Sequence, residues 1–458
     1  MMRKPAAARS EIFSPDDRRN AVCFITNYAE ESAVLLPGHM PRCKTSGIHL
    51  LPSSVSEISL YKLYQAASIQ NGSRAMPYET FCQVWQHQVP SIVTAKQKTN
   101  LCQTCQRDST ALLRTANKSE KVKLKVWRLL KRHIDDEENA IEHYREETTA
   151  AQQSIQADPA DFGHHSPCSR VGKMHYSFGF SQQLHYPADP QRSGPAGFLS
   201  ARKCGIFGIN CEGIPKQVNF LIDEGVQHAK NSVAALSYLH HFFQHFGLGE
   251  KMVSLHCDSP SGQTRNQFLL WYLAWRCISG LHEDITLNFM VGGHANFAPQ
   301  YCFSLLKRKF RSSVVSTLAD IAGVVEASSS RGINIAQLVG DEGGQQQVPS
   351  YAWDEFFCPH FQPIQDIESF YHFRFSNSEP GVVYCREFSS CEEKKCFLLK
   401  QGVSLPQTLP PPIPAPGLSV DRQRYLDTKI RPLCRPEARD VTSPSPQSKE
   451  SDSFDPQK

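Results

Sequence analysis

Apolar positions along the chain follow two rhythms, and the change between them marks its organisation. Up to about Pro90 they come in short runs broken by "LLPG" and "LLPSS" turns, and "YETFCQVW" sets Phe81 and Trp85 on the inner face of a short helix. After "TNLCQTCQRD" the segment "KSEKVKLKVWRLLKRHIDDEENAIEHYREE" keeps Val122, Val126, Leu129 and Leu130 at helical spacing, which predicts one long helix. The period shortens to two in "MHYSFGFSQQLHY", a strand, and "GFLSARKCGIFGINC" predicts two more short strands. Helical spacing returns in "NSVAALSYLHHFFQHFG", with Val233, Leu236, Leu239, Phe243 and Phe246 on one face, Asn231 or Ser232 as cap and Gly247 as stop. The strand "MVSLHC", the helix "QFLLWYLAWRCISG", the strand "ITLNFMV" and a helix containing "YCFSLLKRKFRSS" follow.

Three strands, then helix and strand in alternation, predict an α/β fold: a mixed sheet flanked by helices, preceded by a mainly helical N-terminal region. The divisions fall at 1–98, an N-terminal region of short helices and turns; 99–171, a CxxC module and the long charged helix; and 172–327, the core. Residues 328–400 extend that core, with "YAWDEFF", "FYHFRF" and "PGVVYCREF" read as strands. Residues 401–440 hold the extended, solvated linker "LPQTLPPPIPAPG" and a short helix in "LSVDRQRYLDTKIRPL", and 441–458 is a disordered tail.

Charge changes this picture only locally. The 458 residues carry 49 basic and 45 acidic side chains, a net charge of +4 that favours no partner by itself. Arg114 to Arg132, however, holds eight Lys or Arg against one acid, and "KRKFR" adds Lys307, Arg308, Lys309 and Arg311. Either run can neutralise nucleic-acid phosphates or simply form a solvated helix face. The longest apolar run, Phe268 to Trp275, is far shorter than a membrane span, and the N-terminus lacks an apolar signal segment, so the expectation is an intracellular protein without a membrane partner. Sixteen cysteines over this length suit reduced, mostly buried thiols.

Two stretches could carry chemistry. "CQTC", Cys102 and Cys105, is half of a tetrahedral Zn²⁺ site, with Cys82, His87 and His133 as nearby candidates for the other half; a redox pair or two unligated thiols are the alternatives. In "HCDSPSGQTRN", Asp258 ends a strand where open α/β sheets gather ligands, or else caps the following helix or turn. The loop after it lacks the spacing of a P-loop. His294 in "VGGHANF" could reach toward that loop, and Gln263 and Asn266 are further neighbours.

The motifs "TNLCQTCQ", "MHYSFGFSQQLHYP", "FGINCEGIPKQVNFLIDE", "HCDSPSGQTRN", "VGGHANFAPQYCF" and "GLSVDRQRYLDTKIRP" occur in an order that resembles a transposon-derived family of animal genomes, a domain of unknown function. The resemblance covers most of the chain, from "LLPGHMPR" to "IRPL". It implies an RNase H-like transposase or integrase core in which three acids hold two Mg²⁺ ions for in-line attack on a phosphodiester. At the three acidic positions this chain has Gly179, Asp258 and Gln300. One carboxylate cannot balance two divalent ions, so the resemblance implies a degenerate, inactive site that keeps affinity for DNA, and a nuclear protein. Two alternatives stay open: an active nuclease that recruits Glu212, Asp223, Glu224 or Asp284, and a zinc-containing scaffold that binds DNA or a protein partner.

Overall fold

The computed structural model describes residues 13–36, 48–51, 55–94, 107–108, 111, 114, 119–191, 199–228, 231–257, 265–290, 298–388, 391–406 and 408–446. The chain divides into two compact units, one built from 1–35, 39–97 and 191–200 and the other from 36–38, 98–190 and 201–458.

The first unit holds helices α1 (Pro15–Ser32), α2 (Glu57–Gln70) and α3 (Tyr78–Gln88) and a small sheet of β1 (Val34–Leu36), β2 (Ile48–Leu51) and β3 (Ile92–Thr94), in that order. Helices α1 and α2 start where side chains satisfy the first free amides. Ser14 accepts from the Asp17 amide while Asp17 accepts from the Ser14 amide, and Pro15 takes the first helical position. Phe24, Tyr64, Phe81 and Trp85 fill the core, so the inward pair expected in "YETFCQVW" is buried.

The second unit is built on one nine-stranded sheet. Its strands are β4 (Arg170–Tyr186), β5 (Arg202–Cys211), β6 (Lys216–Asp223), β7 (Glu250–Cys257), β8 (Asp284–Phe289), β9 (Asn334–Leu338), β11 (His372–Ser376), β12 (Val382–Arg386) and β13 (Lys394–Phe397); β10 (Ser350–Tyr351) pairs separately with β14 (Pro412–Ile413). The order across the sheet is β13-β12-β11-β8-β7-β4-β5-β6-β9. β4, β5 and β6 form an antiparallel meander, β7 and β8 run parallel to β4, and β11, β12 and β13 extend the far edge antiparallel. This is the mixed, helix-flanked sheet that the alternating pattern predicts.

Side-chain alternation on β4 decides what each face meets. Tyr176 and Phe178 point toward α5 (Asn231–His245), where Tyr176 lies edge-on to Phe242 and Phe243, and α6 (Gln267–Ile278) joins the same core. The opposite face is covered by α4 (Glu120–Ala157), α7 (Ala298–Arg311) and α8 (Leu318–Glu326), with Phe303, Leu306 and Phe310 of α7 packed over Ile206 and Leu221.

Two sequence expectations change. "GFLSARKCGIFGINC" makes one strand, β5, because Gly208 is no breaker here: a Cβ on it would stand 2.7 Å from the Phe303 ring, so the missing side chain lets α7 approach the sheet. In "YAWDEFF" only Tyr351 is in a strand, and Trp353–Phe357 is a short helix, α9. Trp353 and Phe357, one helical turn apart, stack at an interplanar angle of 16° and bury against Trp275.

The C-terminal segment is tied to the sheet through a fully buried cation. Arg202 donates to Asp223 through Nε (2.8 Å) and Nη2 (2.7 Å), to the Glu342 carbonyl and to the Thr442 carbonyl, while the Tyr186 hydroxyl donates to Asp223 at 2.6 Å. Glu224 is likewise held by Arg422. Removing one partner strands the other charge in the core. Arg202→Leu should therefore lower stability by about 3–5 kcal/mol, read by chemical denaturation, and loosen residues 420–446 first in hydrogen exchange.

Candidate functional site

The site expected from sequence lies around the middle of β4. Asp258, Gln263 and His294 fall outside the described residues, as do Cys102 and Cys105, while the elements that carry the other candidates are on view. Cys257, the last residue of β7, pairs with Phe178, and Gly179 is the next residue of β4. Gln300 is exposed in the first turn of α7. The α7 N-terminus is fixed to the sheet by Tyr144 of α4, whose hydroxyl accepts from the Ala298 amide at 3.3 Å and donates to Glu212. Ser177, two residues from Gly179 and on its face, donates to the same carboxylate oxygen. β4, the end of β7 and the start of α7 thus converge.

The donors present do not suit a pair of Mg²⁺ ions. Gly179 offers no side chain and Gln300 a neutral amide, where hard, charged oxygens are required. Of the substitute acids, Asp223 and Glu224 are consumed by Arg202 and Arg422, and Asp284 sits at the opposite end of β8 from Phe289, the residue paired with Cys257. Glu212 is the one bonded to Ser177 beside Gly179, but burial pushes its carboxyl above the usual range, against the pull of the Ser177 and Tyr144 hydrogen bonds. Among the described residues no group of three or more His, Cys, Asp or Glu side chains is placed to hold a metal ion.

Space at Gly179 is a separate matter. Among the described residues a Cβ built there meets nothing within 4 Å, in contrast to its cross-strand partner Gly208. No described neighbour therefore demands glycine at this position.

The remaining candidates have other employments. Asn266 is the N-cap of α6, its side chain accepting from the Leu269 amide at 3.0 Å, so that helix does not draw its cap from Asp258. Lys307 turns inward to Gln182 at 2.6 Å, and burial pulls its amine down to about 8. Arg308, Lys309 and Arg311 stay exposed on α7. In the long helix Val122, Trp127 and Leu129 are exposed beside Lys121, Lys125 and Arg128.

Residues 201–391 match a domain of unknown function (DUF7869). The matched segment begins just before β5 and ends just before β13, so it takes in β7, α7 and the parallel strands but leaves out β4. No curated protein matches the chain, and no solved structure does. No helix among the described residues is long and apolar enough to cross a membrane.

Beside the carboxylate lies a cluster of imidazoles that the sequence reading did not single out. His175 Nε2 and His256 Nδ1 share a hydrogen bond of 2.8 Å, Thr148 reaches His175 Nδ1 at 3.2 Å, and His372 Nδ1 lies 2.8 Å from Asn288 Oδ1. His143 of α4 stacks edge-on to His372 with centroids 6.0 Å apart. The signal was available in "MHYSFGF" and "SLHC": His175, Ser177 and Gly179 alternate onto one face, and His256 stands opposite Ser177 in the β7 register. Burial holds every one of these rings below the ordinary histidine range, His175 at about 3 and His372 at about 4, and neighbouring Lys173 or histidines add to the effect. The cluster is neutral, with His175 and His256 in the same tautomer so that one ring nitrogen donates and the other accepts, which suits a structural polar core better than a general base working near pH 7.

Two predictions follow from this geometry. Because the folded-state pKa of His175 lies below the unfolded value of about 6.5, the unfolded chain takes up the proton first. Stability is unaffected above pH 6.5 and falls as pH drops toward 3, by up to about 1.4 kcal/mol per pH unit for each such ring. Melting curves between pH 7 and 4 should show this slope, and it should shrink in His175→Gln. At the paired glycines, Gly179→Ala should change stability by less than about 1 kcal/mol, whereas Gly208→Ala should cost about 1–3 kcal/mol through overpacking against Phe303, both read by denaturant titration.

Proposed function

We propose that the protein is transposase-derived, with an RNase H-like nuclease or integrase core that has lost metal-dependent strand cleavage and keeps affinity for DNA. The observation that carries this reading is topological. Within the large sheet, β6-β5-β4-β7-β8 is a meander of three antiparallel strands followed by two strands parallel to the first, joined by helices. In chain order that is 3-2-1-4-5, the arrangement of RNase H-like cores, and it supports the reading by setting Gly179 of β4 beside the end of β7, which Asp258 follows in the sequence.

The inactive half of the reading rests on side-chain chemistry. Two divalent ions stabilise attacking and leaving oxygens only when carboxylates offset their charge. Gly179 and Gln300 remove two of the three, and Glu212 is engaged by two hydroxyls. DNA affinity is supported by Arg308, Lys309 and Arg311, exposed at the end of α7, and by the basic first half of α4. The pair Cys102 and Cys105 stands just before that helix and is proposed as a Zn²⁺ clip for the same surface.

Restoration of the acids tests the reading directly. The wild-type chain should bind duplex DNA with an affinity that falls steeply with salt, and should not nick it in Mg²⁺ or Mn²⁺. Gly179→Asp combined with Gln300→Asp should recover metal-dependent cleavage, since no described residue crowds position 179. Cleavage by the wild type that disappears in Asp258→Ala would overturn the proposal.

A further inference from the structure

Away from the Gly179 region, no helix among the described residues covers part of one sheet face at β8, β11 and β12. Register puts Thr286, Arg374 and Tyr384 side by side on that face, with Asn288, His372 and Arg386 in the next row. α4 forms one wall, and the result is a cleft of about 260 Å³. That is at the small end for ligand sites, enough for a small polar group.

The lining is cationic and over-supplied with donors. Lys173 enters from β4, Arg374 from β11 and Arg386 from β12, against only two acids, Glu147 and Glu393. Lys173 pairs with Glu147 at 2.7 Å. The two arginines converge on one carboxylate: Arg374 Nη2 lies 3.1 Å from Glu393 Oε2 and Arg386 Nη2 lies 2.7 Å from Oε1. Each guanidinium carries five N–H donors, so a single shared carboxylate leaves most of them for another acceptor. At the floor the Thr286 hydroxyl is buried without a hydrogen-bond partner. Both arginines are held in place, Arg374 additionally by the Tyr384 ring, 4.5 Å from its guanidinium carbon.

We infer that this cleft is a phosphate-binding site in which Glu393 occupies the arginine pair until a phosphate group displaces it. A carboxylate has two oxygens in one plane and can serve the two guanidiniums only. A tetrahedral phosphate can meet both guanidiniums while a further oxygen turns toward Lys173 or Thr286, and planar Arg forks are suited to it. The inference is independent of the transposase-derived reading, because it uses none of the residues on which that reading depends.

The test uses the full chain and two probes, inorganic phosphate followed by calorimetry and a labelled oligonucleotide followed by anisotropy. The wild type should bind at least one of them. Glu393→Gln, which removes the internal competitor without shortening the side chain, should tighten that binding by about tenfold, of the order expected for one charge-assisted contact. Arg374→Gln with Arg386→Gln should abolish phosphate binding and cancel any gain in oligonucleotide affinity brought by Glu393→Gln, with an unchanged far-UV spectrum. Binding of inorganic phosphate that the oligonucleotide does not compete identifies a free phosphate or phosphomonoester ligand. A gain for the oligonucleotide alone in Glu393→Gln, cancelled in the arginine variant, identifies a phosphodiester, and both results support the site. If Glu393→Gln folds but gains no affinity for either probe, Glu393 is only a structural partner of the arginines and the inference fails.

Discussion

The pairing of β4 with β7 is the constraint on which the second unit depends. β4 joins the antiparallel meander on one side to the parallel strands β7 and β8 on the other, so its register sets both halves. Because side chains alternate, a slip of one residue would turn Tyr176 and Phe178 out of the core and drive His175 and Ser177 into it. The apolar face locks the register through Phe242 and Phe243, and the polar face locks it again through His175 on His256 and Ser177 on Glu212. The two locks differ in kind. The apolar contacts supply most of the stabilisation, whereas the buried polar ones penalise any alternative that leaves them unpaired.

How far the sequence could be read follows from this asymmetry. Periodicity identifies elements whose faces are apolar, and it found the long helix, β4 and α5 through Val233, Leu236 and Leu239. It failed where burial is set by a distant partner. Nothing in "GFLSARKCGIFGINC" announces that Phe303 packs on Gly208, and "YAWDEFF" reads as a strand until Trp353 and Phe357 are seen to stack beside Trp275. Of the candidate site, Gly179 and Gln300 were legible as positions, since their elements do converge through Tyr144, but the convergence itself was not. No local pattern ties Tyr144 to Glu212, 68 residues apart in the chain.

Basic residues show the same limit from the other side. Lys307, Arg308, Lys309 and Arg311 read as one patch, yet helical geometry divides them: Lys307 turns to Gln182 while Arg308, Lys309 and Arg311 face solvent. Arg374 and Arg386, by contrast, lie twelve residues apart with nothing in "FYHFRF" or "PGVVYCREF" to join them. The antiparallel register sets them on one face, and Glu393 then gathers them. A charge cluster built by a sheet is invisible to any window along the chain.

These relations bear on why the fold would survive loss of its chemistry. The acids of a metal site repel one another and destabilise the protein that holds them, so catalytic centres are commonly places where function is maintained against stability. On the proposed reading, replacement of two such acids by glycine and glutamine relieves that repulsion, and no described residue lies within 4 Å of a Cβ at Gly179. Glu212, Tyr144, Ser177 and the histidines, in contrast, satisfy one another, and removal of any one leaves a buried group without its partner. On the proposed reading, selection for the fold alone retains the second set and is indifferent to the first. The polar network beneath the site can therefore persist after the site itself has lapsed.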